Sequence, residues 1–172
     1  MEILILGLIL VGLMVYASTR IKKTAAAAFE AETIETQDFV IQKPEGFLNV
    51  VGGDRKYAFE AYSKDFGGDG GGDIRLGRVN LTVLDGKTLD DSVKKLRETG
   101  EEIVDDISEV ISSRRYRVIE TKRVEKGVSL CGYYKIAEKD GKIYRLEALR
   151  LAETPDEFVR KIEVMVAGFE LK

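Results

Sequence analysis

The sequence predicts an α+β domain, an antiparallel sheet covered by two helices, preceded by a single N-terminal transmembrane helix. Three observations carry that expectation. Ile3 to Thr19 (ILILGLILVGLMVYAST) holds no charged residue and stops against Arg20, Lys22 and Lys23. Beyond it, short stretches alternate apolar and polar residues between turn signals, the period of a half-buried strand. Two further stretches, opening at Leu89 and Thr154, change to steps of three and four residues, the period of an amphipathic helix.

The apolar run comes first. At about 1.5 Å per residue it covers roughly 25 Å, against a hydrocarbon core of about 30 Å, and the stems of Arg20, Lys22 and Lys23 can snorkel to extend it. Tyr16 stands where an interfacial aromatic belongs. A cleaved secretory leader would start with positive charge, yet Glu2 is the only charged residue ahead of the run, and three cations separate the run from Ala26-Ala27-Ala28. A buried core helix would have a polar side, whereas this one is apolar all round. Residues 1–21 therefore read as a membrane anchor. Its nearby cations all follow it, so the positive-inside rule predicts a single-pass protein of the cell membrane with its domain in the cytoplasm.

Residues 22–37, rich in Ala and Glu, read as a juxtamembrane linker, and the folded domain is expected over 38–172. Phe39-Val40-Ile41 reads as a strand closed by Pro44. Phe47–Val51 and Lys56–Ser63, joined by Gly52-Gly53-Asp54-Arg55, read as a hairpin. Gly67 to Asp73 (GGDGGGD) is a loop, and Ile74–Leu84 a strand with Val79, Leu81 and Val83 on one face. Leu89, Val93, Leu96, Ile103, Ile107 and Val110 predict one amphipathic helix, with a break possible at Gly100. A β-meander follows over Arg115–Val124, Ser129–Glu138 and Ile143–Ala152, with Asp140-Gly141 as a type I′ turn. Thr154-Pro155-Asp156-Glu157 predicts a capping box opening a last helix, whose stripe is Phe158, Ile162, Met165 and Phe169.

Composition narrows the chemistry. The first 23 residues hold three of the 27 cations and one of the 30 acids, so the remainder carries a net charge of −5, a poor match for nucleic acid. Histidine is absent, which removes His-based triads, His acid–base catalysis and almost every zinc or non-haem iron site. The one cysteine, Cys131, rules out an internal disulfide and lies too far along the chain for lipoprotein acylation.

The order of elements resembles the PsbP-like family. The likeness spans roughly Phe39 to Leu171. It rests on Pro44-Glu45-Gly46-Phe47 after a first strand, a helix starting at Thr88–Leu89, Gly127 ahead of the middle meander strand, and a closing helix ending at Phe169. The resemblance implies a domain that binds or supports other proteins rather than catalysing. It also implies export in bacterial relatives, the side of the membrane opposite to the one the charges predict. No binding motif of the family matches here, so no residue role carries over.

Five features are candidate sites. Asp65, Asp69 and Asp73 around the glycine loop could offer oxygen ligands to calcium, but Gly72 stands where the calcium nonapeptide repeat needs aspartate, and a plain hairpin loop is the simpler reading. Gly86-Lys87-Thr88 imitates the end of a phosphate-binding loop, yet Leu81 occupies the position that needs glycine. Asp90-Asp91, Glu101-Glu102 and Asp105-Asp106 read as a solvated helix face. Cys131 reads as a structural thiol. Arg114, Arg115, Arg117, Lys122 and Arg123 form a basic strand in which Arg115 and Arg117, together with Arg20, Lys22 and Lys23, could face anionic lipid; a wet sheet face is the simpler reading. No cofactor is expected, and calcium at the glycine loop is the one candidate. The expected function is that of a membrane-tethered, non-catalytic binding or accessory domain with a protein or small-molecule partner and no nucleic acid. The alternatives are a calcium-binding domain, or a carboxylate-based hydrolase needing two acids about 5–9.5 Å apart.

Overall fold

Burial alternates along Phe39–Lys43 and Phe59–Ser63, as it does in strands with one face in the core. The computed structural model describes residues 11, 13–20, 26–50, 56–63, 75–99, 101–125 and 127–172. In chain order they form β1 (Glu32–Glu35), β2 (Phe39–Lys43), β3 (Phe47–Asn49), β4 (Phe59–Ser63), β5 (Gly77–Asp85), α1 (Leu89–Glu98), β6 (Glu102–Ile111), β7 (Arg114–Glu125), β8 (Val128–Lys139), β9 (Lys142–Leu151), α2 (Asp156–Ala167) and β10 (Glu170–Leu171). Seven strands make one sheet in the order β3-β4-β5-β9-β8-β7-β6, and β1-β2-β10 make a second. Adjacent strands in both are antiparallel, so the fold is α+β and dominated by sheet.

The β3–β4 hairpin and the β7–β8–β9 meander lie where the alternation puts them; the turn at 52–55 is outside the described residues. Asp140 and Gly141 have φ of 51° and 71°, the left-handed pair that a two-residue type I′ turn requires. Ser112 and Ser113 do the same between β6 and β7, at φ of 51° and 64°.

The register separates the large sheet into two faces. On one, α2 lies over Phe47, Phe59, Ala61, Val79, Leu81, Tyr144, Leu146 and Ala148, and Phe39 and Ile41 of the small sheet complete that core. Phe158 stacks on Phe47 with ring centroids 5.1 Å apart. A Cβ at Gly77 would lie 2.9 Å from both Ile162 Cδ1 and Phe158 Cε1, so glycine there lets α2 approach the sheet. Helix α2 has no basic residue in its last turn, and Lys135 supplies the charge from β8: its Nζ donates to Ala167 O at 3.0 Å and pairs with Glu109 at 3.3 Å. On the other face, α1 places Val93 and Leu96 over Ile119, Tyr134, Ile136 and Ile143, a much smaller cluster.

The structure corrects the single helix expected from Leu89 to Val110. Helix α1 ends at Glu98, and Ile103, Ile107 and Val110 belong to strand β6. Five of the ten β6 residues are β-branched and apolar, which favours a strand. Its three- and four-residue spacing arises because its apolar residues do not keep to one face: with a bulge at Val104, the register puts Ile103 and Val110 on one face and Ile107 on the opposite one. The expected capping box of the last helix is also absent. Pro155 is the N-cap, without a side-chain cap, and Thr154 Oγ1 donates instead to Leu151 O at 2.6 Å.

Strand β1 falls within the segment read as a linker and pairs with β2 from Glu32↔Lys43 to Glu35↔Val40. The buried Lys43 ammonium donates to Phe47 O at 3.0 Å and to Glu30 O, which fastens the approach to β1 onto the domain. Most of the expected anchor lies outside the described residues. Residues 11 and 13–20 are helical, with Val11, Leu13, Met14, Val15 and Tyr16 between 58% and 64% exposed. Among the described residues no helix is long and apolar enough to cross a membrane.

Candidate functional site

Polar residues gather on the α1 side of the large sheet, beyond the end of the helix. The register lines up Glu60, Asn80, Glu147 and Tyr134 across β4, β5, β9 and β8, with Arg78, Thr82 and Arg145 in the flanking rows. Glu101, in the link between α1 and β6, reaches down to this surface with its side chain only 5% exposed. Thr121 Oγ1 donates to Glu101 Oε2 at 2.6 Å, Tyr134 Oη donates at 2.8 and 2.9 Å to the two carboxylate oxygens, and Arg123 Nη1 donates to Oε1 at 3.1 Å. Burial of a carboxylate costs several kcal/mol unless donors of this kind replace water. Burial, followed by the charges of Glu147 and Glu101, drives the Tyr134 phenol far above its ordinary range, so it stays protonated as a donor. Gly132 makes room for the cluster, since a Cβ there would meet Thr121 Oγ1 at 2.6 Å.

Next to this saturated centre are polar atoms without partners. Asn80 is 2% exposed, and its Oδ1 is buried without a hydrogen bond; the Nε atoms of Arg123 and Arg145 are in the same position. Buried groups of this sort take an ordered water or a ligand atom. The surface can therefore hold hydrogen-bonding groups in fixed places. Its most deeply sunk carboxylate among the described residues, Glu101, already accepts from three donors.

The structure distributes the sequence-derived candidates widely. Asp65, Asp69, Asp73, Lys22 and Lys23 lie outside the described residues; among the described residues no cluster of three His, Cys, Asp or Glu is placed to hold a metal. Arg20 ends the described helical stretch and is exposed. Arg115 is exposed on the α1 side. Arg117 lies on the same side, half-buried, gripping Asp106 through Nε and through Nη2 at 2.7 Å, with Arg97 3.5 Å from the same carboxylate. The Arg117 hydrogen bond, aided by the Arg117 and Arg97 charges, holds Asp106 below the usual carboxylate range against the pull of desolvation. Arg114 donates to Leu171 O at 2.6 Å, tying down the C-terminus. The basic strand is thus mostly spent on internal contacts.

Two other candidates take plain structural places. Gly86-Lys87-Thr88 is a helix cap: Gly86 has φ of 65°, Thr88 Oγ1 accepts from Asp91 N at 3.1 Å, and Asp91 Oδ2 accepts from Thr88 N at 3.2 Å. Glu101 and Asp106, expected on a solvated helix face, are instead pinned to the sheet. Sequence reasoning missed Asn80, Tyr134, Arg145 and Glu147. The available signal was polar residues at every second position of β5 and β9 (Arg78, Asn80 and Thr82; Arg145 and Glu147), which marks one face of the sheet as polar.

The sequence matches no family model and no curated protein. Solved structures do match. Cyanobacterial PsbP (CyanoP) from Synechocystis sp. PCC 6803 aligns at 12% identity and a TM-score of 0.56, covering 83% of this chain and 92% of that one. LpqN, involved in cell envelope biogenesis of Mycobacterium tuberculosis, aligns at 8% identity and a TM-score of 0.60, covering 83% and 91%. A Pseudomonas aeruginosa protein of unknown function aligns at 7% identity and a TM-score of 0.51, covering 78% and 92%. At these identities the likeness concerns backbone architecture alone: the chain has the PsbP-like fold.

Proposed function

We propose that this chain is a membrane-tethered, non-catalytic accessory domain that binds a partner protein, with its domain on the cytoplasmic side. The observation that carries the non-catalytic part is Glu101. The carboxylate sunk into the polar face accepts from Thr121, Tyr134 and Arg123 at once, which supports a structural anion rather than a proton carrier, and the chain has no histidine to take its place. The tether rests on the charge-free run Ile3–Thr19 and on the exposure of the apolar side chains at Val11 and Leu13–Tyr16, which are not packed into the domain core. LpqN's part in cell envelope biogenesis is compatible with such an address.

The test is affinity capture from detergent-solubilised membranes with the full chain, and in parallel with a chain lacking residues 1–23. A partner recovered in stoichiometric amount by the full chain alone is the expected result. A full chain that stays soluble without detergent, or that returns no partner, overturns the reading. A reporter fused after Lys172, active on one side of the membrane only, decides the orientation.

A further inference from the structure

Strand β6 ends the large sheet and pairs only with β7, leaving its outer backbone groups open among the described residues. At ten residues it is far longer than β3, the three-residue strand at the opposite edge. Long free edges invite another strand, and proteins usually blunt them with lysine, proline or a bulge. Strand β6 contains neither lysine nor proline; its four acids guard the edge against a like-charged strand but not a basic one, and its bulge sits near one end, at Val104. From Asp105 to Ile111 the register with β7 is unbroken. Val104, Ile107 and Val110 are 47%, 52% and 71% exposed, so β-branched apolar side chains stand out along the edge.

The charges have a direction. Strand β6 has four acids, Glu102, Asp105, Asp106 and Glu109, and no base. Asp106 is neutralised by Arg117 and Arg97, and Glu109 by Lys135. Glu102 and Asp105 form no ion pair among the described residues; Lys122 of β7 stands opposite Glu102 in the register without reaching it. One end of the edge is therefore acidic and the other, Ile107 to Ile111, mostly apolar. A second copy of the chain would bring the same carboxylates without a countercharge.

We propose that β6 is a docking edge that accepts an extended segment of a partner protein as an eighth, antiparallel strand. The segment is apolar in its first half, against Ile107–Ile111, and carries Lys or Arg in its second half, against Glu102 and Asp105. Backbone hydrogen bonds supply affinity and the charge gradient sets direction. The inference rests on the partner-binding reading above and names its surface.

The probe is a synthetic peptide alternating threonine with valine in its first half and threonine with lysine in its second, with the reversed sequence as control. Amide hydrogen exchange is followed on the full chain in detergent micelles. The forward peptide is expected to slow alternate β6 amides at least tenfold. The reversed peptide, and a chain carrying Glu102→Lys and Asp105→Lys, should each weaken that effect at least tenfold without changing the melting temperature. Equal effects from both peptides, no slowing at all, or sedimentation showing β6-dependent dimers would each overturn the proposal. A partner still captured from membranes by the charge-reversed chain would sink this inference alone and leave the tethered-module reading standing.

Discussion

The two faces of the seven-stranded sheet are built on different terms. The α2 side is mainly apolar from Phe47 to Phe169, with the buried Lys135 tied to Ala167 O, and is closed by a helix, a second small sheet and the C-terminal strand. The α1 side has a ten-residue helix over a small apolar cluster, and beyond that helix it is charged, hydrogen-bonded and only partly covered. Hydrophobic burial is non-directional and tolerant, whereas a buried charge is stable only in one geometry. The first face can hold the fold together, and the second can specify what meets it.

Four experiments break or sharpen that contrast. The largest effect is expected on the α2 side: Phe169→Ala, which empties a site fully buried against Phe39 and Tyr116, should cost about 3–5 kcal/mol in denaturant unfolding. A cost near zero would mean that this core does not carry the fold. On the α1 side, Glu101→Gln keeps the shape but removes the charge facing Arg123 and should cost about 1–3 kcal/mol. An unchanged midpoint would show that water replaces the carboxylate freely.

The third experiment is pH-dependent. Asp106 has a depressed pKa in the folded state, so its contribution is complete above the unfolded aspartate value of about 4 and is lost as pH falls through the folded value. Asp106→Asn should therefore flatten the acid limb of a stability-versus-pH curve and cost about 1 kcal/mol at neutral pH. Parallel limbs for both proteins would refute that assignment. The smallest effect concerns neither face: melting curves with calcium and with chelator are expected to coincide, and a clear rise with calcium would bring Asp65, Asp69 and Asp73 back as ligands.

Much of this architecture can be read along the chain, and the errors have local causes. The meander and the Asp140-Gly141 turn are legible because alternation and left-handed turn residues are local signals. Strand β6 was not, because its apolar residues fall on both faces at steps of three and four and because Ser112-Ser113 is an unusual pair for a left-handed turn. The polar site was only half legible. Glu101 looks like half of a solvated acid pair until β7 and β8 bring Thr121, Arg123 and Tyr134 to it from 20, 22 and 33 residues away.

The residues in order are enough to exclude histidine chemistry, to propose a membrane-spanning leader and to assign most strands, since each depends on composition or on neighbours a few positions apart. Tertiary structure alone decided that Glu101 is enclosed by three donors and that β6, among the described residues, has an open edge. Those properties belong to pairs of residues distant in sequence, and burial and strand order exist only once the sheet has formed.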